Sequence, residues 1–263
     1  MSRRFVDISV PLEAGIQSDP EFMLPEINYE THLETAPQIS SLFTGLEAKD
    51  LPDGQGWAIE TIKLSTHNGT HVDAPWHYHS TMDHATKDGG ARAITIDEVP
   101  LNWFMRPGVR LDFRGYDDGY VVMPDDLERE FAAIDYEIQP YDIFLANTSA
   151  GACYGRDNFL AMGCGFGRDA TLWLTKRGVK VVGTDAWSWD APFGHTAERW
   201  EETHDPSIIW EGHKAGRDRG YCQIEKLGNL EQLPAIGFTV VCFPVKIKAA
   251  GAGWTRAVAV FDE

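Results

Sequence analysis

The sequence predicts a mixed α/β domain, and three observations carry that prediction. First, the apolar run Tyr141 to Asn147 has the length of a buried strand, Arg168 to Arg177 is helical, and Val179 to Gly183 follows at once as a second strand. Basic residues end the helix and Gly178 caps it, and strand, helix, strand at this spacing implies a parallel crossover unit. Second, Phe5 to Val10, Trp57 to Leu64 and Tyr221 to Leu227 alternate apolar with polar side chains, the period of a strand. Third, 43% hydrophobic and 24% charged residues over 263 positions allow one large core, so residues 1–263 are read as a single domain.

In chain order, the strand Phe5 to Val10 closes at Pro11. A long excursion follows, at about 12–56, punctuated by Pro20, Pro25, Pro37 and Pro52 and by four glycines; only Ile27 to Leu33 has a strand pattern within it. Such a segment is either a lid or covering arm, or a peripheral excursion. Trp57 to Leu64 then delivers the chain into a histidine-rich stretch, and Lys87 to Gly90 is a loop. Val109 to Phe113 is a strand, and Pro124 to Phe131 has the proline and acidic residues of a helical first turn. Thr184 to Gly220 reads as loop-rich. Asn229 to Pro234 reads as one helical turn, Phe238 to Ile247 and Arg256 to Phe261 as final strands, and Gly251 to Gly253 as a tight loop between them. That loop lacks the strand-then-helix setting of a dinucleotide fingerprint.

A net charge of −17 argues against nucleic acid or an anionic membrane surface as partner, and a small molecule is expected instead. The N-terminal residues show no long apolar run, so neither a secretory signal nor a membrane span is expected. Cys153, Cys164, Cys222 and Cys242 are widely spaced, as reduced thiols of a cytoplasmic protein would be.

Five of the nine histidines fall between 67 and 84, and His67, His71, Asp73 and His77 share one parity. In an extended segment equal parity means one face, so these four groups converge on one point. Imidazole nitrogen and carboxylate oxygen are the donors zinc and manganese take when thiolates are absent. His67, His71 and Asp73 supply three ligands, and Asp73 has a second oxygen to bridge to another ion. Further ligands must come from elsewhere, and His213 and Glu225, flanking the strand Tyr221 to Leu227, are the preferred candidates.

The pattern His67-x-Gly69-Thr70-His71-x-Asp73-x-Pro75-x-His77 resembles the signature of the cyclase-like metal-dependent hydrolase family, which includes bacterial kynurenine formamidases and isatin hydrolases. The resemblance extends to Asp7-Ile8-Ser9-x-Pro11-Leu12, to Val181 to Asp185, and to Ile224 to Leu230. It implies a swivelling β/β/α domain and a homo-oligomer, dimer or tetramer. It also implies two divalent ions: His67, His71, Asp73 and Glu225 around the first, Asp73, His213 and Glu225 around the second, with His77 as proton donor and acceptor. The implied reaction is hydrolysis of an amide, cyclic or aryl formamide. A lactone at the same site, a metal-dependent lyase or cyclase, and a binding protein are the alternatives. One departure stands out: where the formamidases carry a substrate-facing tryptophan, this chain reads Ile16-Gln17-Ser18-Asp19-Pro20. Trp187 and Trp189, at a strand's carboxyl end, are either an apolar wall for a ring or packing anchors; Phe43 and Trp57 are further candidates for the wall.

Overall fold

The computed structural model describes residues 2–262. Nine strands form one mixed sheet: β1 (Arg3–Asp7), β2 (His71–Asp73), β3 (Met105–Asp112), β4 (Ile143–Asn147), β5 (Val181–Thr184), β6 (Cys222–Glu225), β7 (Phe238–Val241), β8 (Ala252–Trp254) and β9 (Val258–Asp262). Their order across the sheet is β1-β9-β7-β3-β4-β5-β6-β2-β8. The four central strands, β3 to β6, are parallel; every other pairing is antiparallel. Beyond β1 the chain reaches across the structure, where Ser9 bridges Leu227 and the Gly228 N–H donates to the Ile8 carbonyl at 3.0 Å. This brings the β1 side against the end of β6, and the sheet curls.

The helices are α1 (His32–Ser41), α2 (Pro75–Tyr78), α3 (Pro124–Ala133), α4 (Arg168–Lys176), α5 (Phe193–Thr203) and α6 (Glu211–Asp218). Parallel neighbours require crossovers, and α3, α4 and the pair α5 and α6 supply the three. Strands β4 and β5 are buried throughout, so alternation sends their side chains into two cores. Ile143, Leu145 and Val181 join Val72, Ile224 and Val240 inside the curl. Phe144, Ala146 and Val182 meet Leu127 and Phe131 of α3 and Ala170 and Leu174 of α4. The crossover expected from Tyr141 to Gly183 is therefore present, and the mixed α/β class holds.

Four expectations are corrected. Residues 184–220 are not loop-rich, because α5 and α6 lie there. Gly251 to Gly253 is not a tight loop: Ala252 and Trp254 of β8 pair with Asp73 and His71 of β2. The stretch from 57 to 64 is a strand only over Ile59–Lys63, and it pairs with Glu26–Glu30 instead of joining the main sheet. Lastly, His67 to His77 is not one extended segment but a turn, strand β2 and the short helix α2. No helix among the described residues is long and apolar enough to cross a membrane. All four cysteines are buried and unpaired.

Candidate metal centre

Each site residue is delivered by a local device. Gly69 turns left-handed at φ 59° to enter β2, and a Cβ there would stand 2.7 Å from the Leu12 side chain. In the same turn the Asn68 carboxamide accepts from the Ser65 N–H at 2.7 Å, so the loop carrying His67 is closed from within. His71 and Asp73 are two apart on β2 and share a face. Pro75 opens α2, which brings His77 over the same point. Glu225 ends β6 directly opposite His71 in register. His213 comes from the first turn of α6.

The side chains meet around Asp73. His67 Nδ1 lies 3.0 Å and His71 Nε2 3.3 Å from Asp73 Oδ1. His77 Nε2 and His213 Nε2 each lie 3.9 Å from Oδ2. Glu225 spans the same two loci, with Oε2 3.5 Å from His71 Nε2 and Oε1 3.6 Å from His213 Nε2. Two histidines are aimed by their remaining nitrogen: His71 Nδ1 donates to the Gly69 carbonyl at 2.9 Å, and His213 Nδ1 to Asp190 Oδ2 at 2.5 Å. This is how proteins fix the tautomer of a ligating imidazole, leaving the Nε2 lone pair turned inward.

The electrostatics are those of a site arranged around positive charge. Burial pushes the Glu225 carboxyl up, and Asp73 beside it pushes further. Burial works the same way on Asp73, but His77, His71 and His67 outweigh it and hold that carboxyl well below the usual range. His77 is taken down to about 3, first by burial and then by its histidine neighbours against the pull of Asp73, so it is neutral near pH 7. Both Asp73 oxygens are buried, and neither accepts a well-aligned hydrogen bond, although His67 Nδ1 stands 3.0 Å from Oδ1. Unpartnered buried carboxylate oxygens are costly. A divalent cation removes that cost, and the nitrogen and oxygen donor set fits one.

Beside this cluster is a cavity of about 180 Å³. His67, His77, His213 and Glu225 line one part of it, and Met23, Trp187, Phe193 and Trp210 supply apolar walls. Of the ring-wall candidates, Trp187 reaches the cavity. Trp189 does not: it is buried, its ring stacks on Phe166 at 4.1 Å, and its indole N–H donates to Thr171 Oγ1 at 2.9 Å. It still serves the site, because its backbone N–H donates to Glu225 Oε1 at 2.9 Å. Phe43 and Trp57 stand exposed outside the cavity. Sequence reasoning missed Met23, Phe193, Trp210, Asp19 and Lys226, all of which line it. The excursion is thus divided: residues 19–23 reach the cavity, while Glu26–Glu30 pairs with Ile59–Lys63, beyond its end, in a separate exposed two-stranded ribbon.

Comparisons with known proteins give the fold and family of the chain. The kynurenine formamidase of Salinibacter ruber (strain DSM 13855 / M31) is 28% identical over 200 residues, which cover 76% of this chain and 78% of the relative. Isatin hydrolase A from Labrenzia aggregata, solved bound to benzyl benzoate, superposes with a TM-score of 0.72 at 23% identity, over 99% of this chain and 94% of its own. A structure described as a potential metal-dependent hydrolase with cyclase activity superposes with a TM-score of 0.66 at 20% identity, over the whole of both chains. The family model described as "Putative cyclase" matches residues 6–191, most of the chain and all of the stretch from His67 to His77. By that match the chain belongs to the cyclase family.

Proposed function

We propose that the protein is a metal-dependent amidohydrolase that uses water to open a cyclic amide or aryl formamide in a small molecule. One observation carries the reading: a buried aspartate whose oxygens accept no well-aligned hydrogen bond, ringed by imidazole nitrogens and a second carboxylate, beside a cavity with aromatic walls. The relatives named above support the C–N bond as the point of attack. His67, His71, Asp73 and Glu225 would hold a first ion, and Asp73, His213 and Glu225 would hold a second; zinc and manganese both suit these donors. When bound, such ions polarise a carbonyl and lower the pKa of water. His77 is the proton carrier. Partly open to the cavity and with its Nε2 3.9 Å from Asp73 Oδ2, it is placed to take a proton from the attacking water and return it to the departing nitrogen. Met23, Trp187, Phe193 and Trp210 enclose the ring of the substrate. The exposed two-stranded ribbon and α1 form the surface between copies of the chain in a homo-oligomer, and the chain's four buried thiols suit the cytoplasm.

The test is turnover of aryl formamides, cyclic imides and lactones by metal-reconstituted protein in ¹⁸O-labelled water. Label in the product is expected, with amides ahead of lactones. Turnover without label would turn the assignment toward a lyase. A His77→Ala variant should keep its metal and lose on the order of 10²-fold or more in kcat; near wild-type rates in that variant would remove His77 from its role.

A further inference from the structure

His77 differs from its neighbours in what holds it. His71 and His213 are each aimed by a hydrogen bond through Nδ1, to the Gly69 carbonyl and to Asp190. The His77 ring has no hydrogen bond of this kind among the described residues, and its shortest polar approach is 3.9 Å, to Asp73 Oδ2. A base that takes and returns a proton must keep its ring in one orientation, and a third group commonly sees to this. The χ2 torsion of an imidazole is broad, so the ring does not orient itself. Packing is what remains. His67 lies beside His77 with ring centroids 4.1 Å apart and planes at 39°. Trp210 meets it at 5.1 Å and 85°, the T-shaped arrangement that aromatic rings favour.

Trp210 is itself fixed from two sides. Its ring stacks on His213 at 4.3 Å and 20°, and His213 is pinned by Asp190 at 2.5 Å. Lys214 Nζ lies 5.4 Å from the indole and donates to the carbonyl of Tyr78, the residue after His77, at 3.2 Å. The backbone is strained at this point. Trp210 turns left-handed at φ 58°, where a residue with a Cβ is disfavoured, and its carbonyl accepts the first bond of α6 from the Lys214 N–H at 2.9 Å. Strain of this kind persists only where the surroundings enforce it, and it gathers at functional sites. Resting on the reading of His77 as proton carrier, we propose that Trp210 is a positioning residue, whose indole holds the His77 ring in its working orientation. Packing does for His77 what a hydrogen bond does for His71 and His213. Because the same indole stacks on His213, it also fixes the proton carrier relative to a ligand of the second ion.

The decisive measurement is a double-mutant cycle. Trp210→Gly removes the ring without leaving a Cβ in the left-handed turn. With metal-loaded protein and formanilide, that variant should lose about tenfold or more in kcat with KM little changed, and Trp210→Phe should recover most of the loss. In a His77→Ala background the same change should cost nothing further, because the group it positions is gone. A loss confined to KM, or one that adds in full to that of His77→Ala, overturns the proposal and leaves Trp210 as a wall for the substrate. Calorimetric titration with zinc should give an affinity close to wild type; a loss of metal that accounts for the loss of rate also overturns it. A crystal structure of metal-loaded Trp210→Gly should show the His77 imidazole in more than one rotamer, with His71 and His213 unmoved. A single, unchanged His77 rotamer there refutes the positioning role. If Trp210→Gly does not fold, Trp210→Leu is read in the same way. If His77→Ala keeps its rate, the proton-carrier reading falls, and the rotamers alone decide whether Trp210 positions the ring.

Discussion

Asp185, at the end of β5, is buried and accepts from the Asn147 amide at 2.8 Å, the Thr148 N–H at 2.9 Å and the Thr148 hydroxyl at 2.6 Å. Burial lifts its carboxyl from an ordinary 3.8 to about 7, against the pull of Thr148 and Asn147. The folded chain therefore keeps a proton that the unfolded chain gives up near 3.8. The group's contribution to stability is full below that value and is lost as pH rises toward about 7. In Asp185→Asn this slope should vanish, so the variant should gain on wild type in melting temperature between pH 5 and pH 7. A difference that stays constant over that interval would count against the assignment. Residues of this kind were partly legible. His67, His71, Asp73 and His77 declared themselves by type and spacing, although a turn and α2 replace much of the single strand that suggested their convergence. Trp210 and Lys226 left no periodic trace, because each sits at a left-handed position where local pattern ends.

At the scale of elements, α6 shows why sequence and structure part. Two glycines in eight residues, Gly212 and Gly216, argue against a helix on propensity alone. Both are contact points. A Cβ on Gly212 would stand 2.4 Å from the Phe166 carbonyl, and one on Gly216 would stand 2.4 Å from the ring of Tyr78. Tyr78 cannot easily yield, being buried with its hydroxyl donating to the Asp73 carbonyl at 3.1 Å. The missing side chains let α6 approach closely enough for His213 to reach the site. Tertiary packing thus outweighs local propensity, and no window of sequence reports it. Gly216→Ala is expected to cost about 1–3 kcal/mol through overpacking and to weaken metal binding by displacing His213. Thermal melting and metal titration measure the two effects, and full metal affinity with wild-type stability would refute the argument. Strand β8 was hidden for a related reason: Gly253 admits no side chain, with the Val245 carbonyl 2.4 Å from where its Cβ would be.

For the molecule as a whole, the parallel centre of the sheet was readable because crossovers impose a fixed order of patterns on the chain. The antiparallel wings and the curl were not, since they join residues far apart in sequence. The segment from 20 to 64 leaves Phe22, Tyr29, Leu33, Leu42, Phe43, Trp57, Ile59 and Ile62 exposed. Exposed apolar side chains in such number are the kind of surface a second copy of the chain covers. A dimer or larger homo-oligomer is the expected species in sedimentation or light scattering. Tyr29 and Ile62 lie on one face of the two-stranded ribbon, two residues and one strand apart, with Ile27 opposite Ile62. Converting both to aspartate should shift the population to monomer. A wild-type chain that sediments as a monomer at every accessible concentration would dismiss this interface.

The place of β2 has a consequence for how the protein is made. Its three residues hold His71 and Asp73, and its two neighbours pair through Gln223 to Glu225 on one side and Ala252 to Trp254 on the other. Neither neighbour has been synthesised when β2 leaves the ribosome, and loops of such length close late and slowly. Both flanking strands can therefore join β2 only after residues 222–254 have emerged. A cation that needs Glu225 and His213 as well as the β2 residues would be bound late, unlike the ion of a small zinc module, whose ligands lie close together in sequence.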